Sequence, residues 1–188
     1  MRIIVGITGA SGSIYGWRLL EKLREQAGVE THLIVSRSGE RTAFLEMGKS
    51  AADFRALSTC WYPVEDIGCR LASGSFAVDA MAIAPCSIHT MSAIAAGITS
   101  NLIVRAADVT LKERRRLALM VRESPLHLGH LRSMAALAEM GAILAPPVPA
   151  FYHHPKTVEE IVDHSVDRVL DLIGLPDANA RRWDGPSK

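Results

Sequence analysis

Short apolar runs, each about the length of a β-strand, alternate along this chain with stretches of helical periodicity. That alternation constrains the fold more than any other feature. The runs are Arg2 to Ile7, Thr31 to Val35, Ala80 to Ala84, Leu117 to Val121 and Ala142 to Ala145. Strands that are apolar almost throughout need cover on both faces, and helices between successive strands supply it. The pattern predicts an α/β fold with a doubly wound, mainly parallel sheet. At 188 residues the chain fits one domain with a real core, spanning 1–188, with a C-terminal helix and tail from about 157.

The first run is followed by Gly6, Gly9 and Gly12 and then by a helix from Ser13 to about Gln26. Strand, glycine turn and helix open a nucleotide-type unit, although G-x-x-G-x-x-G is neither the dinucleotide fingerprint nor a P-loop. Further helices are predicted over Arg37 to Met47, Ser50 to Leu57, Asn101 to Lys112 and His127 to Met140. Ser50 is their clearest cap, with Asp53 at the N3 position. The last helix starts at Thr157, where Glu160 completes a capping box, and its apolar stripe runs through Val158, Ile161, Val162, Ser165, Val169 and Leu172. Arg168 lies at the edge of that stripe. The stretch 58–71 reads as irregular, with Cys60-Trp61-Tyr62-Pro63 in local core packing rather than at an exposed edge or subunit contact. The strand at Ala80 is expected to break at Pro85.

Composition closes several routes. A net charge of +1 and a short Arg114-Arg115-Arg116 run without interleaved aromatics give no case for nucleic acid. Three cysteines without C-x-x-C spacing argue against a disulfide scaffold and suit a reducing cytoplasm. No apolar stretch approaches the ~20 residues of a membrane span, and the N-terminal run is too short for a signal peptide. His127 with His130, and His153 with His154, lack Cys or carboxylate partners at zinc spacing, so no metal is expected. Cys86 at a helix start could be a nucleophile, but burial is the commoner role for such a residue. No G-x-S-x-G elbow is present.

What is left is directed at phosphate. Gly9, Ala10, Ser11 and Gly12 form a turn with hydroxyls and bare amides; Ser36 ends a strand; Ser87 caps a helix start that runs through Ile88, His89 and Thr90. Arg105, Asp108 and Lys112 share a helix face, and Arg122, Glu123 and Arg168 follow. A solvated face is the ordinary reading of such a cluster. Its position between strand ends, where open α/β sheets bind ligands, favours an anion site. The set exceeds the needs of one phosphate and suits two phosphorylated molecules.

The strings TGASG, SGSF, PCS followed by Thr90, NLIVRAADVTLKERR, VRE-x-PLHLGHL, PPVPAFYHHP and DRVLDLIG resemble the UbiX-type flavin prenyltransferases, formerly named aromatic-acid decarboxylase subunits. The resemblance extends from about Arg2 to Trp183. It implies a Rossmann-like flavoprotein domain that joins a dimethylallyl group from dimethylallyl monophosphate to reduced FMN. A fourth ring closes between N5 and C6, without a metal. The prenylated FMN then serves a UbiD-type decarboxylase, and the enzyme is a homododecamer with sites at subunit junctions.

Carried over residue by residue, the resemblance puts FMN against Gly9, Ala10, Ser11, Ser36, Ser87, Ile88, His89, Thr90 and Arg122. Tyr152 and Arg168 hold the prenyl phosphate, with Arg105, Lys112 and Glu123 completing its pocket. Ser11 and Glu46 handle protons near the flavin. Two alternatives stand beside this: an FMN-dependent cysteine decarboxylase of the same fold, which should lack the Arg105, Lys112, Tyr152 and Arg168 set, and a non-catalytic flavin carrier.

Overall fold

The computed structural model describes residues 1–176 and 185; the end of the expected tail, including Trp183, lies outside them. Six parallel strands form one sheet: β1 (Arg2–Ile7), β2 (Glu30–Val35), β3 (Cys60–Tyr62), β4 (Ala80–Cys86), β5 (Arg116–Val121) and β6 (Ile143–Leu144). Their order is β3-β2-β1-β4-β5-β6. The helices are α1 (Ser13–Glu25), α2 (Arg37–Met47), α3 (Ala51–Ala56), α4 (Ile88–Ala95), α5 (Leu102–Lys112), α6 (Leu128–Glu139) and α7 (Val158–Ile173).

The apolar strands are covered on both faces, as their composition requires. Ile4, Ile34, Met81, Ile83, Leu117 and Leu119 point to one face, where Met91 and Ile94 of α4, Leu102 and Ala106 of α5 and Leu137 of α6 pack on them. Ile3, Val5, Ile7, Leu33 and Met120 point to the other, against Leu19, Leu20 and Leu23 of α1 and Val166, Val169 and Leu170 of α7. Burying each such leucine contributes about 1.5–3 kcal/mol. On the α1 side β4 presents Ala80, Ala82 and Ala84. These small side chains let α1 come so close that a Cβ on Gly16 would run into the Ala84 carbonyl.

The structure differs from the sequence expectation at four places. Cys60–Tyr62 is an edge strand paired with β2, not irregular core packing. Trp61 is exposed there, while Tyr62 packs against the core. β4 does not stop at Pro85: it continues to Cys86, with a register shift against β5 between Ile83 and Cys86 that accommodates the missing N–H. The buried face of α7 runs through Val162, Val166, Val169, Leu170 and Ile173 and leaves Val158 exposed, because the helix lies across α1, β4 and β5 only beyond its first turn. Thr157 accepts from the Glu160 amide, but Glu160 caps the Lys156 N–H rather than that of Thr157. No described helix is long and apolar enough to cross a membrane.

Chain order reverses between β1 and β4, so the loops after these two strands flank the topological switch point.

Candidate functional site

The turn after β1 and the loop after β4 are joined by one buried hydroxyl. Thr8 Oγ1 donates to the Pro85 carbonyl at 2.7 Å and accepts from the Ser87 N–H at 2.8 Å. Gly12 then caps α1 at φ 101°, a left-handed conformation that glycine adopts without penalty. Gly9 lies against Ser38, where an added Cβ would approach the serine Cβ to 2.5 Å.

Two helices begin beside this turn with serine caps. Ser36 Oγ accepts from the Gly39 N–H at 3.0 Å and contacts Ser38 Oγ at 3.1 Å. Ser87 Oγ accepts from the Thr90 N–H at 3.3 Å and donates to Thr90 Oγ1 at 3.2 Å. A helix start leaves its first amides without intrahelical partners, so those of Ile88 and His89 are available to an outside acceptor. Arg122, at the end of β5, is tied in by its backbone N–H to the Cys86 carbonyl at 3.1 Å. Among the described residues its guanidinium has no hydrogen bond or ion pair. Burial raises the pKa of the Tyr15 phenol, and the positive charge of Arg122 opposes the rise.

The start of α1 is engaged differently. The Glu46 carboxylate receives the amides of Gly12, at 3.0 and 3.1 Å, and of Ser13, at 2.9 Å. Burial weighs against its charge, but bonds from the Ser11 hydroxyl and the Ser13 and Gly12 amides outweigh this and hold the carboxyl below the usual carboxylate range. The predicted phosphate turn at Gly9 to Gly12 is thus closed at its helix end by the chain's own anion. Gly9, Ala10 and the Ser11 hydroxyl still border the switch point.

Beyond β6 the proline-rich segment folds back onto α7. Tyr152 Oη lies 3.2 Å from His164 Nε2, and His153 stacks on the His164 ring with centroids 4.3 Å apart. His164 and Arg168, one turn apart, line a cleft of about 330 Å³ with Met120, Ala145, Pro146 and Leu172. Arg168 is 65% exposed, and its ion pair with Asp171 is long at 3.8 Å. Glu123 accepts from the Ser124 N–H at 3.0 Å at the end of β5, the strand beside β6.

Arg105 and Lys112 stand apart from these groups. Arg105 donates to the Ala72 carbonyl at 3.2 Å and to Asp108 at 2.7 Å. Lys112 pairs with Glu113 beside Gly74, in the loop that leads into β4. Lys112 therefore lies at the N-terminal edge of the sheet and Arg122 at the C-terminal edge. The six residues of β5 between them span about 20 Å. One chain does not bring Lys112 to Tyr152 and Arg168.

Two further groups bear on the chemistry. Cys86 is fully buried, and burial pushes its thiol up to about 12, which suits packing rather than nucleophilic attack. Among the described residues Glu30, His32 and Cys60 bring donor atoms within 4.8 Å of one another. Glu30 already pairs with Arg2 at 2.9 Å, His32 Nδ1 bonds Tyr62 at 3.0 Å, and Arg70 approaches the Cys60 sulfur at 3.6 Å. Two guanidiniums beside the cluster oppose a cation.

Sequence reasoning missed Tyr15 and the bonding role of His164. Tyr15 falls three residues after the Gly12 cap, where its ring lies against that glycine, and that spacing is its only signal. Nothing local marks His164, because its partner is twelve residues away.

The Flavoprotein family model matches residues 1–170. A flavin prenyltransferase UbiX of Thauera aromatica is 54% identical over 185 residues, covering 98% of this chain and 95% of the relative. The chain belongs to the UbiX flavin prenyltransferase family. Two solved structures of UbiX-type proteins superpose with TM-scores of 0.96. One is a dodecameric FMN-dependent UbiX-like decarboxylase from Escherichia coli O157:H7, 49% identical, covering 98% of this chain and all of that one. The other is AnUbiX (PadA1) in complex with FMN and dimethylallyl pyrophosphate, 43% identical, covering 99% and 98%. The α/β sheet with its switch-point loops is thus the UbiX architecture.

Proposed function

We propose that this chain transfers a dimethylallyl group from dimethylallyl monophosphate to reduced FMN. The observation that carries this reading is the presence of two phosphate-suited places at one sheet edge. The first is formed by the serine-capped starts of α2 and α4 with the unpaired Arg122. The second is the cleft beside the ends of β5 and β6 that Arg168 and His164 line, with Tyr152 held to His164. Short hydroxyl caps, free amides and an exposed guanidinium are the donor set that a flavin phosphate requires.

Reduced FMN supplies the nucleophilic N5 and C6 positions. The chain's own groups do the rest. Ser36, the Ile88 and His89 amides and Arg122 hold the flavin phosphate, and Gly9, Ala10 and Ser11 border its ring. Arg168 and Tyr152 bind the prenyl phosphate and stabilise the negative charge that grows as the allylic C–O bond breaks. Glu46, held ionised, accepts a proton through the Ser11 hydroxyl, and Glu123 exchanges one with the departing phosphate. Cationic side chains take the part that a metal ion plays at other leaving groups, so the transfer runs without one.

Arg105 and Lys112 enter this site from a neighbouring subunit. The place of Lys112 at the sheet edge opposite Arg122 supports that reading, as do large exposed apolar side chains: Phe44 at 64%, Leu45 at 73%, Phe151 at 66% and Leu128 at 59%. The assembly is a homo-oligomer, of twelve subunits by analogy with the Escherichia coli relative. The product serves a UbiD-type decarboxylase, and the protein works in the cytoplasm.

The test is release of inorganic phosphate from dimethylallyl monophosphate. It should require reduced FMN and stop when either molecule is omitted. Absence of flavin-dependent phosphate release would leave a decarboxylase or a flavin carrier instead.

A further inference from the structure

His164 is half-buried on α7 and touches three groups that matter. Its Nε2 meets the Tyr152 hydroxyl at 3.2 Å, its ring is stacked by His153, and its edge lines the cleft that contains Arg168. Both ring nitrogens of His153 are buried without a partner among the described residues, so His153 contributes stacking and no hydrogen bond. Burial lowers the His164 pKa, His153 adds to the effect, and Asp167 opposes it. The imidazole is therefore neutral near pH 7, with one nitrogen protonated.

Which nitrogen carries the proton follows from the ligand. A phosphate dianion offers acceptors and no donor. A phenol has one proton, and if Tyr152 spends it on phosphate, its oxygen can only accept from His164. We propose that His164 is a positioning residue: its Nε2–H donates to the Tyr152 oxygen and so aims the phenol proton into the Arg168 cleft, at the substrate's phosphate. This rests on the reading of Tyr152 and Arg168 as the prenyl-phosphate site. With the opposite tautomer, Tyr152 would donate to His164 and present only lone pairs to an anion. That arrangement would repel phosphate rather than bind it.

The chemistry also says what can replace the imidazole. A glutamine amide offers an N–H donor at comparable reach, and a leucine offers similar bulk with no donor. Steady-state turnover is measured at saturating reduced FMN over a range of dimethylallyl monophosphate for His164→Leu, His164→Gln, Tyr152→Phe and the His164→Leu/Tyr152→Phe double variant. FMN titration serves as the control. His164→Leu should raise KM for the prenyl phosphate about five- to tenfold, the effect of one hydrogen bond, with FMN affinity intact. His164→Gln should recover most of the loss. In the Tyr152→Phe background, His164→Leu should add nothing, because the group it positions is gone. The proposal is overturned if Gln is as impaired as Leu, which would make the ring a packing element. Additive effects in the double variant overturn it too. A silent Tyr152→Phe would instead remove the phosphate role of Tyr152 itself, and the single variant alone reveals that case.

Discussion

Replacing Arg168 by alanine separates a phosphate ligand from a surface charge. In the folded chain Arg168 is 65% exposed and pairs with Asp171 only at 3.8 Å. An exposed i,i+3 pair of that length contributes less than about 1 kcal/mol, so Arg168→Ala should barely move the denaturation midpoint. Binding should respond differently. A charge-assisted contact to phosphate contributes about 1.5–3 kcal/mol, which corresponds to roughly a tenfold to hundredfold loss of apparent affinity. Because Arg168 lies on α7 and is not among the flavin-phosphate donors, which follow β2, β4 and β5, FMN affinity should be nearly unchanged. The assay follows prenylated flavin at saturating reduced FMN while dimethylallyl monophosphate is varied, alongside urea unfolding of the same preparation. Unchanged affinity and rate in a stable variant would refute the assignment, even with the flavin site intact. A large drop in stability would refute the description of Arg168 as loosely paired.

Gly16→Ala should destabilise by about 1–3 kcal/mol in urea denaturation, because the new methyl meets the Ala84 backbone carbonyl and α1 must shift off β4; net stabilisation from better helix propensity would show the approach to be looser than described. Glu46→Gln should cost about 1 kcal/mol at pH 7, the scale of a lost helix-terminal anion. The folded pKa of Glu46 is lowered, so its contribution is present above the ordinary carboxylate value of about 4.3 and disappears as pH falls through the folded value. Unfolding curves of wild type and variant should therefore converge in acid, and a gap that persists there would contradict the ionic role. Arg168→Ala and Lys112→Ala oligomers, each impaired alone at low dimethylallyl monophosphate, should regain activity once their subunits are exchanged, since one chain holds these groups at opposite sheet edges. A mixture no better than its components would place both groups within a single subunit's reach.

The sheet was legible because its strands are apolar on both faces, a pattern that a parallel, twice-covered sheet demands. β3 was not, since an edge strand of three residues with Trp61 exposed carries no such run. Pro85 misled for a related reason: a proline ends pairing in most strands, yet here a register shift lets β4 pass through it. Caps at Ser50 and Ser87 depend on neighbours three residues away, so they were readable. Glu46 reaches back 33 residues to the Ser13 amide, and Tyr152 meets α7 only after a proline-rich turn folds over. Sequence periodicity carries no information about such closures. The shared helical face of Arg105, Asp108 and Lys112 is legible in their spacing, but the edge of the sheet at which Lys112 lies emerges only from the folded chain.

The most direct test of the account is the mass of flavin extracted after anaerobic incubation of the purified protein with reduced FMN and dimethylallyl monophosphate. The extracted flavin should be heavier than FMN by one prenyl unit, and should revert to FMN's mass when the prenyl phosphate is omitted. Recovery of unmodified FMN alone, from protein that binds both molecules, would contradict prenyl transfer.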